Sequence, residues 1–223
     1  MSRWESEIDA ELNWREAELA SLKHFVISTR GNVVAHKSAL RAMCAMMYAH
    51  YEGFTKFCWD LVLDEIHRAA VNRCDLLEPL AVLSLEKVFS QLKADTSPTN
   101  IWSFFQTTLP ENLTIAAEFE EDGSKKCRIS TGSNLWPNVF REGTQKLGIA
   151  CTEVDNRETL LKSLVARRNK IAHGEKMEIK DLNEYKSYED AAFAVMYQLA
   201  ITIVEYLDRQ LYLKANIAQA GGI

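Results

Sequence analysis

The segment Leu164 to Glu175, LVARRNKIAHGE, sets Arg167, Arg168, Asn169 and Lys170 just ahead of His173 and then stops at Gly174. Arginine carries a permanent charge on a planar fork suited to phosphate oxygens, and histidine gives or takes a proton near neutral pH. On a helix, Asn169 lies four positions before His173, on the same face, where its amide can hold the imidazole in one tautomer. Arg168 lies five positions before it, about 140° around the helix. Its long side chain can reach back past the helix end, so both groups can converge on one phosphate.

Spacing alone carries little weight. With five histidines in the chain, roughly one Arg at four to six positions before a His is expected by chance, and Arg30 with His36 in RGNVVAH is a second such pair. That pair straddles a glycine break and the β-branched Val33 and Val34. The later pair differs in context: a polar residue follows Arg168, the apolar positions Leu161, Leu164, Val165 and Ile171 surround it, and the small-residue stop AHG ends it. A structural reading of the same residues stays open, in which His173 caps the helix C-terminus, a site worth roughly 0.3 to 1 kcal/mol to a cation, and Arg167 and Arg168 are solvated.

The rest of the chain must position these groups, and its composition favours helices. The 223 residues are 47% hydrophobic and 26% charged, with only nine glycines and four prolines, and runs rich in Ala, Leu, Glu, Lys and Met prefer helix. Five cysteines without a CxxC pair argue against a disulfide framework or a zinc site and fit a reducing cytoplasm. The acidic, amphipathic N-terminus lacks the features of a signal peptide. The charge-free stretch from Ala191 to Val204 is 14 residues, short of the roughly 20 that cross a bilayer, so it is expected as a core helix and no membrane partner is expected. A net charge of −5 excludes a protein that coats nucleic acid through its overall field, yet Lys162 to Lys176 holds five cations against Glu175, a local patch that a phosphate backbone could use.

Apolar periodicity predicts a helix over 5–29, a long second helix over about 35–71, and a crossover excursion over 72–100 containing the short helix LEKVFSQLKAD. The segments Leu113 to Phe119 and Cys127 to Ser130, around Asp122 and Gly123, have the composition of a small β-hairpin insertion, about 112–131. Helices then resume: one starting near Pro137, one capped by Asn156 and ended by Gly174, and a last one from Tyr188 to Lys214. These elements are read as one domain over 5–214 with a tail at 215–223.

Three ordered stretches resemble one family. RRNKIAHG is similar to the R-x(4-6)-H signature of HEPN domains, carried by Arg168, Asn169 and His173. RAMCAMMYAHYEGFTKF, Arg41 to Phe57, is similar to the YAHWEGF.K helix of the prokaryotic branch grouped with the RiboL-PSP and MAE-type members, with Tyr51 in place of the usual tryptophan. TGSNLWPNVFREGTQKLGI resembles that branch's SNL...LG segment. Glu175 stands where HEPN proteins partnered with nucleotidyltransferases carry a tyrosine, which disfavours a target-of-adenylylation reading. The resemblance implies a mainly α, up-and-down helical bundle that forms a homodimer. Two Arg–His segments would then share one cleft that cuts RNA without metal or other cofactor.

On that resemblance Arg168, His173 and Asn169 are the expected catalytic residues, and Arg167, Lys170, Glu52 and His50 the expected RNA-binding or supporting ones. It further implies a toxin of a toxin-antitoxin or antiphage defence pair, with a possible cognate antitoxin protein as partner. The alternative is a non-catalytic HEPN scaffold that binds RNA or a partner protein. Glu52 and Lys56 also have the spacing of a structural ion pair, and Cys44 and Cys58, 14 positions apart, read as small core residues. No HExxH, P-loop, GxGxxG or GxSxG is present.

Overall fold

A computed structural model of the protein describes residues 2–119 and 129–220. Along the chain run α1 (Arg3–Ser28), α2 (Val33–Arg68), α3 (Glu78–Ser84), α4 (Glu86–Ala94), α5 (Pro98–Ser103), α6 (Leu109–Leu113), α7 (Pro137–Lys146), α8 (Glu153–Asn156), α9 (Glu158–Ala172), α10 (Leu182–Asp208) and α11 (Lys214–Ala220). The expected mainly α bundle class is what forms, and no strand occurs among the described residues.

Local chemistry sets the helix ends. Ser2 and Glu5 form a reciprocal capping box that starts α1. Helix α10 starts at Leu182, earlier than the periodicity suggests, because Asp181 Oδ1 accepts from the Asn183 and Glu184 N–H groups, each at 2.9 Å. It stops at Asp208 because Gln210 turns left-handed at φ 50° and the Leu211 N–H closes on the Tyr206 carbonyl at 2.8 Å. Asn156 is not the cap of α9. Its amide reaches Glu153 at 2.9 Å within the short α8, and Arg157 takes the cap position without a side-chain bond.

The expected hairpin arm Leu113 to Phe119 forms no strand. Leu113 ends α6 and Ala116 makes an isolated bridge to Asn72. The turn at Asp122 and Gly123 and the start of the return arm at Cys127 lie outside the described residues.

Two compact units divide the chain. The first comprises Met1–Cys58, Ser130–Glu142 and Cys151–Val204. Its interior is built from one stripe of each long helix: Ile8 and Leu19 of α1, Met43, Met47 and Phe54 of α2, Leu161 and Leu164 of α9, and Val195 and Leu199 of α10, all buried. Polar contacts cross-link the stripes, including Lys23 to Glu189 at 2.5 Å and Tyr197 to Glu16 at 2.6 Å between α1 and α10. Helix α10 is long and apolar enough to cross a membrane by length and composition, but half of its most apolar window is buried in the fold, as the core-helix expectation requires.

The second unit comprises Trp59–Ile129, Gly143–Ala150 and Glu205–Ile223. Buried Arg73 binds Ser84 Oγ at 3.2 Å and the Asn112 carbonyl at 3.1 Å, and Tyr206 donates to the Leu147 carbonyl at 2.6 Å. Gly143 lies where a Cβ would come within 2.3 Å of the Trp59 ring. Gly143→Ala is therefore expected to lower stability by about 1–3 kcal/mol through overpacking, read as a drop in the thermal unfolding midpoint. An unchanged midpoint would show that the Trp59 ring gives way freely.

Candidate active site at the end of helix α9

Helix α9 buries Leu161, Leu164 and Val165, which turns Arg167 to Lys170 to its margin and carries His173 to its C-terminus. A Schellman motif closes the helix: the Gly174 N–H bonds the Ile171 carbonyl at 3.1 Å and the Glu175 N–H bonds the Lys170 carbonyl at 2.9 Å. Gly174 sits at φ 71°, a left-handed conformation that glycine adopts without strain. His173 is the cap residue of this motif, and its imidazole is exposed.

Among the described residues Arg168 is held by three groups, none of them a carboxylate. Its guanidinium lies over the Tyr48 ring at 4.6 Å from the centroid. Its Nη1 donates to Asn134 Oδ1 at 2.7 Å and to Asn169 Oδ1 at 3.1 Å. The Asn169 amide thus serves Arg168. Its link to His173 runs through the backbone, where the His173 N–H donates to the Asn169 carbonyl at 3.0 Å, in place of the side-chain tether that the spacing suggested.

Behind Arg168, α2 and the loop before α7 are tied together. The Tyr48 hydroxyl accepts from the buried Leu135 N–H at 2.8 Å, and burial pushes its phenol up to about 12, so it stays protonated. One turn on, Glu52 accepts from the Thr131 hydroxyl at 2.6 Å and pairs with Lys56 at 3.2 Å. Burial works against the Glu52 carboxylate, but the hydrogen bonds from Thr131 and Lys56, with a smaller one from Tyr48, outweigh it and hold its carboxyl below the usual range. Glu52 therefore joins the cluster indirectly, one turn along α2 from the ring under Arg168. Tyr48, Thr131 and Asn134 are the members that sequence reasoning missed. All three stood inside the quoted motifs, and only a contact could have singled them out.

Two expected members sit elsewhere. Arg167 is consumed by the fold: it pairs with Glu184, donates to the Tyr188 hydroxyl at 2.7 Å and to the Glu178 carbonyl at 3.1 Å, and touches Met177 Sδ. With Arg41, which donates to the Glu175 and Met177 carbonyls, it staples the loop after His173. These contacts turn Arg167 toward α10 and the loop after His173, apart from the groups that hold Arg168. His50 is buried on the α1 side, edge-on to Trp14 at 5.2 Å and 2.9 Å from Glu18, and does not join Arg168. Lys170 is exposed on α9. Among the described residues no three His, Cys, Asp or Glu side chains are grouped as metal ligands would be, and burial pushes the Cys44 thiol up to about 12.

Two stability outcomes follow. Arg167→Ala should cost about 1–3 kcal/mol, since it removes the charged partner of Glu184 and the donor to the Glu178 carbonyl, whereas Lys170→Ala should leave the melting midpoint unchanged. Burial lowers the His50 pKa below its ordinary 6.5, against an opposing pull from Glu18. The unfolded chain then binds more protons, so the His50 contribution is full above pH 6.5 and is lost as pH falls below it. Denaturant midpoints between pH 7.5 and 5.5 should therefore decline in the wild type and flatten in His50→Gln; parallel declines would show that other groups carry the effect.

A family model described as MAE_28990-like HEPN matches residues 4–212. No curated protein and no solved structure gives a match. The matched span takes in Tyr48 and Glu52, the Thr131–Leu135 loop, and Arg168 through His173, so the residues that assemble around α9 all lie within it. The chain belongs to the HEPN family.

Proposed function

We propose that this HEPN protein is a metal-independent endoribonuclease. The observation that carries the reading is the contrast between the adjacent arginines: Arg167 is neutralised by Glu184, while Arg168 is fixed by a ring and two amides and keeps its charge available. An available guanidinium and, five residues on at the end of the same helix, an exposed imidazole are the two groups that a phosphate-directed site needs. HEPN membership supports an RNA-related role, although the family also includes non-catalytic members.

The chemistry is a transesterification. A base removes the 2′-hydroxyl proton, the 2′-oxygen attacks phosphorus, and the bond to the 5′-oxygen breaks as an acid protonates it. The products are a 2′,3′-cyclic phosphate and a 5′-hydroxyl, and water is not consumed in this step. Base and acid are two jobs, and the Arg168–His173 segment supplies one imidazole. A two-fold homodimer would bring two imidazoles and two guanidiniums to a composite cleft. Its biological setting, a toxin of a toxin-antitoxin or antiphage defence pair in the cytoplasm, held in check by a cognate antitoxin, is the reading the family resemblance favours.

A second reading, a non-catalytic scaffold that binds RNA or a partner protein through the same basic segment, draws on one observation: no side chain among the described residues orients the His173 ring. Purified protein with 5′-labelled RNA in excess EDTA separates the two. The expected result is cleavage to cyclic-phosphate ends, lost by about 10² to 10⁴-fold in Arg168→Ala or His173→Ala. RNA retention without cutting would make the protein a scaffold, and strict magnesium dependence would overturn the mechanism.

A further inference from the structure

Asn134 makes the shortest polar contact to Arg168, 2.7 Å from Nη1 to Oδ1. The position invites a carboxylate. An aspartate is isosteric with asparagine, and it would add the attraction of an ion pair to the bond that the charged guanidinium already donates. On stability alone it would be the better partner. The other two groups on the guanidinium are equally uncharged, the Tyr48 ring and the Asn169 amide. The nearby carboxylate, Glu52, is occupied by Thr131 and Lys56. Every group that fixes Arg168 therefore orients it without neutralising it.

We infer that Asn134 is a charge-sparing positioning residue, an amide that aims the Arg168 guanidinium at an RNA phosphate while leaving its full positive charge to that phosphate. The inference rests on the proposed ribonuclease reading and adds a residue to it. Asn134 lies on the loop that Glu52 holds through Thr131 and Tyr48 holds through the Leu135 N–H. Its amide oxygen is thus fixed relative to α2 before any RNA arrives, and the arginine is oriented in advance. Pre-orientation removes the cost of freezing a long side chain when substrate binds.

Two substitutions separate this role from a structural one. Asn134→Asp keeps the acceptor and the shape but turns the contact into an ion pair; Asn134→Ala removes the contact and leaves the charge. A purely structural anchor predicts that Asp performs at least as well as Ala in every assay. Charge sparing predicts the reverse order for RNA and the same order for folding. Asn134→Asp should melt no lower than wild type, yet cut labelled RNA about 10²-fold more slowly. The slope of its log affinity for single-stranded RNA against log salt should fall by about 0.7, the loss of one phosphate contact. Asn134→Ala should retain more cleavage than Asn134→Asp and the wild-type salt slope.

Equal or better cleavage by Asn134→Asp than by Asn134→Ala, in an enzyme that Arg168→Ala inactivates, overturns the inference and leaves the ribonuclease reading standing. A wild-type protein that binds RNA without cutting it fails the ribonuclease reading, and the salt slopes of the two variants still decide the role of Asn134. A wild-type protein that neither binds nor cuts RNA overturns both.

Discussion

An arginine that must bind an anion has to be immobilised without being neutralised, and the surroundings of Arg168 meet that constraint. A carboxylate would hold it more strongly but would occupy its charge. The alternatives on hand are a guanidinium over an aromatic ring, roughly 0.5–2 kcal/mol, and a hydrogen bond from the charged guanidinium to a neutral amide, about 1.5–3 kcal/mol. Three such contacts, from Tyr48, Asn134 and Asn169, together approach what one ion pair would supply. They come from α2, from the loop before α7 and from α9 itself, so the side chain is fixed by the packing of the first unit and not by one neighbour.

Helical geometry explains how Arg167 and Arg168 divide their tasks. One residue step turns the side chain by about 100°, enough to send Arg167 toward α10 and Arg168 toward α2. On the α10 side Glu184 and the Tyr188 hydroxyl wait, and the arginine becomes a staple for the loop that follows His173. That staple, the Arg41 bonds to the same loop and the Schellman closure at Gly174 fix the backbone of His173 from both sides. The imidazole itself stays in solvent. Its backbone is rigid and its ring is free to turn, a combination suited to a group that must meet a substrate from outside this chain.

Much of this was legible in the sequence. The stripes of apolar residues gave the long helices, Pro137 marked the start of α7, and Gly174 marked the end of α9, because capping and periodicity are local and leave local traces. Asn156 misled because α8, a single turn, was inserted ahead of α9 and moved the boundary to Arg157. The segment Leu113 to Phe119 misled because its β-branched residues fit an extended chain, which among the described residues pairs at Ala116 alone. At the site, Arg168 and His173 could be found from spacing and context, but the fate of Arg167 could not. Nothing in RRN says which arginine meets Glu184, 17 positions on from Arg167, since the answer lies in the rotation of one helix against another. Asn169 was assigned to His173 on spacing, and its neighbour in sequence took it instead.

The chain also carries its own control. Arg30 and His36 satisfy the same loose spacing as Arg168 and His173, and the two pairs meet different ends. Arg30 sits on a three-residue turn between α1 and α2 and His36 in the first turn of α2, where its Nδ1 lies 3.0 Å from the Val26 carbonyl and 3.3 Å from the Thr29 hydroxyl. Its imidazole is occupied at the Val26 carbonyl, at the end of α1, which also accepts from the Thr29 hydroxyl. Asn32, which might have matched Asn169, caps α2 through the Ala35 N–H at 3.1 Å. At α9 the roles are reversed: backbone bonds close the helix end at Gly174, which releases the imidazole, and amides hold the arginine. The chemical difference between two pairs of similar spacing therefore lies in who satisfies the helix terminus. Where glycine in a left-handed turn does so, the histidine is left free for another purpose.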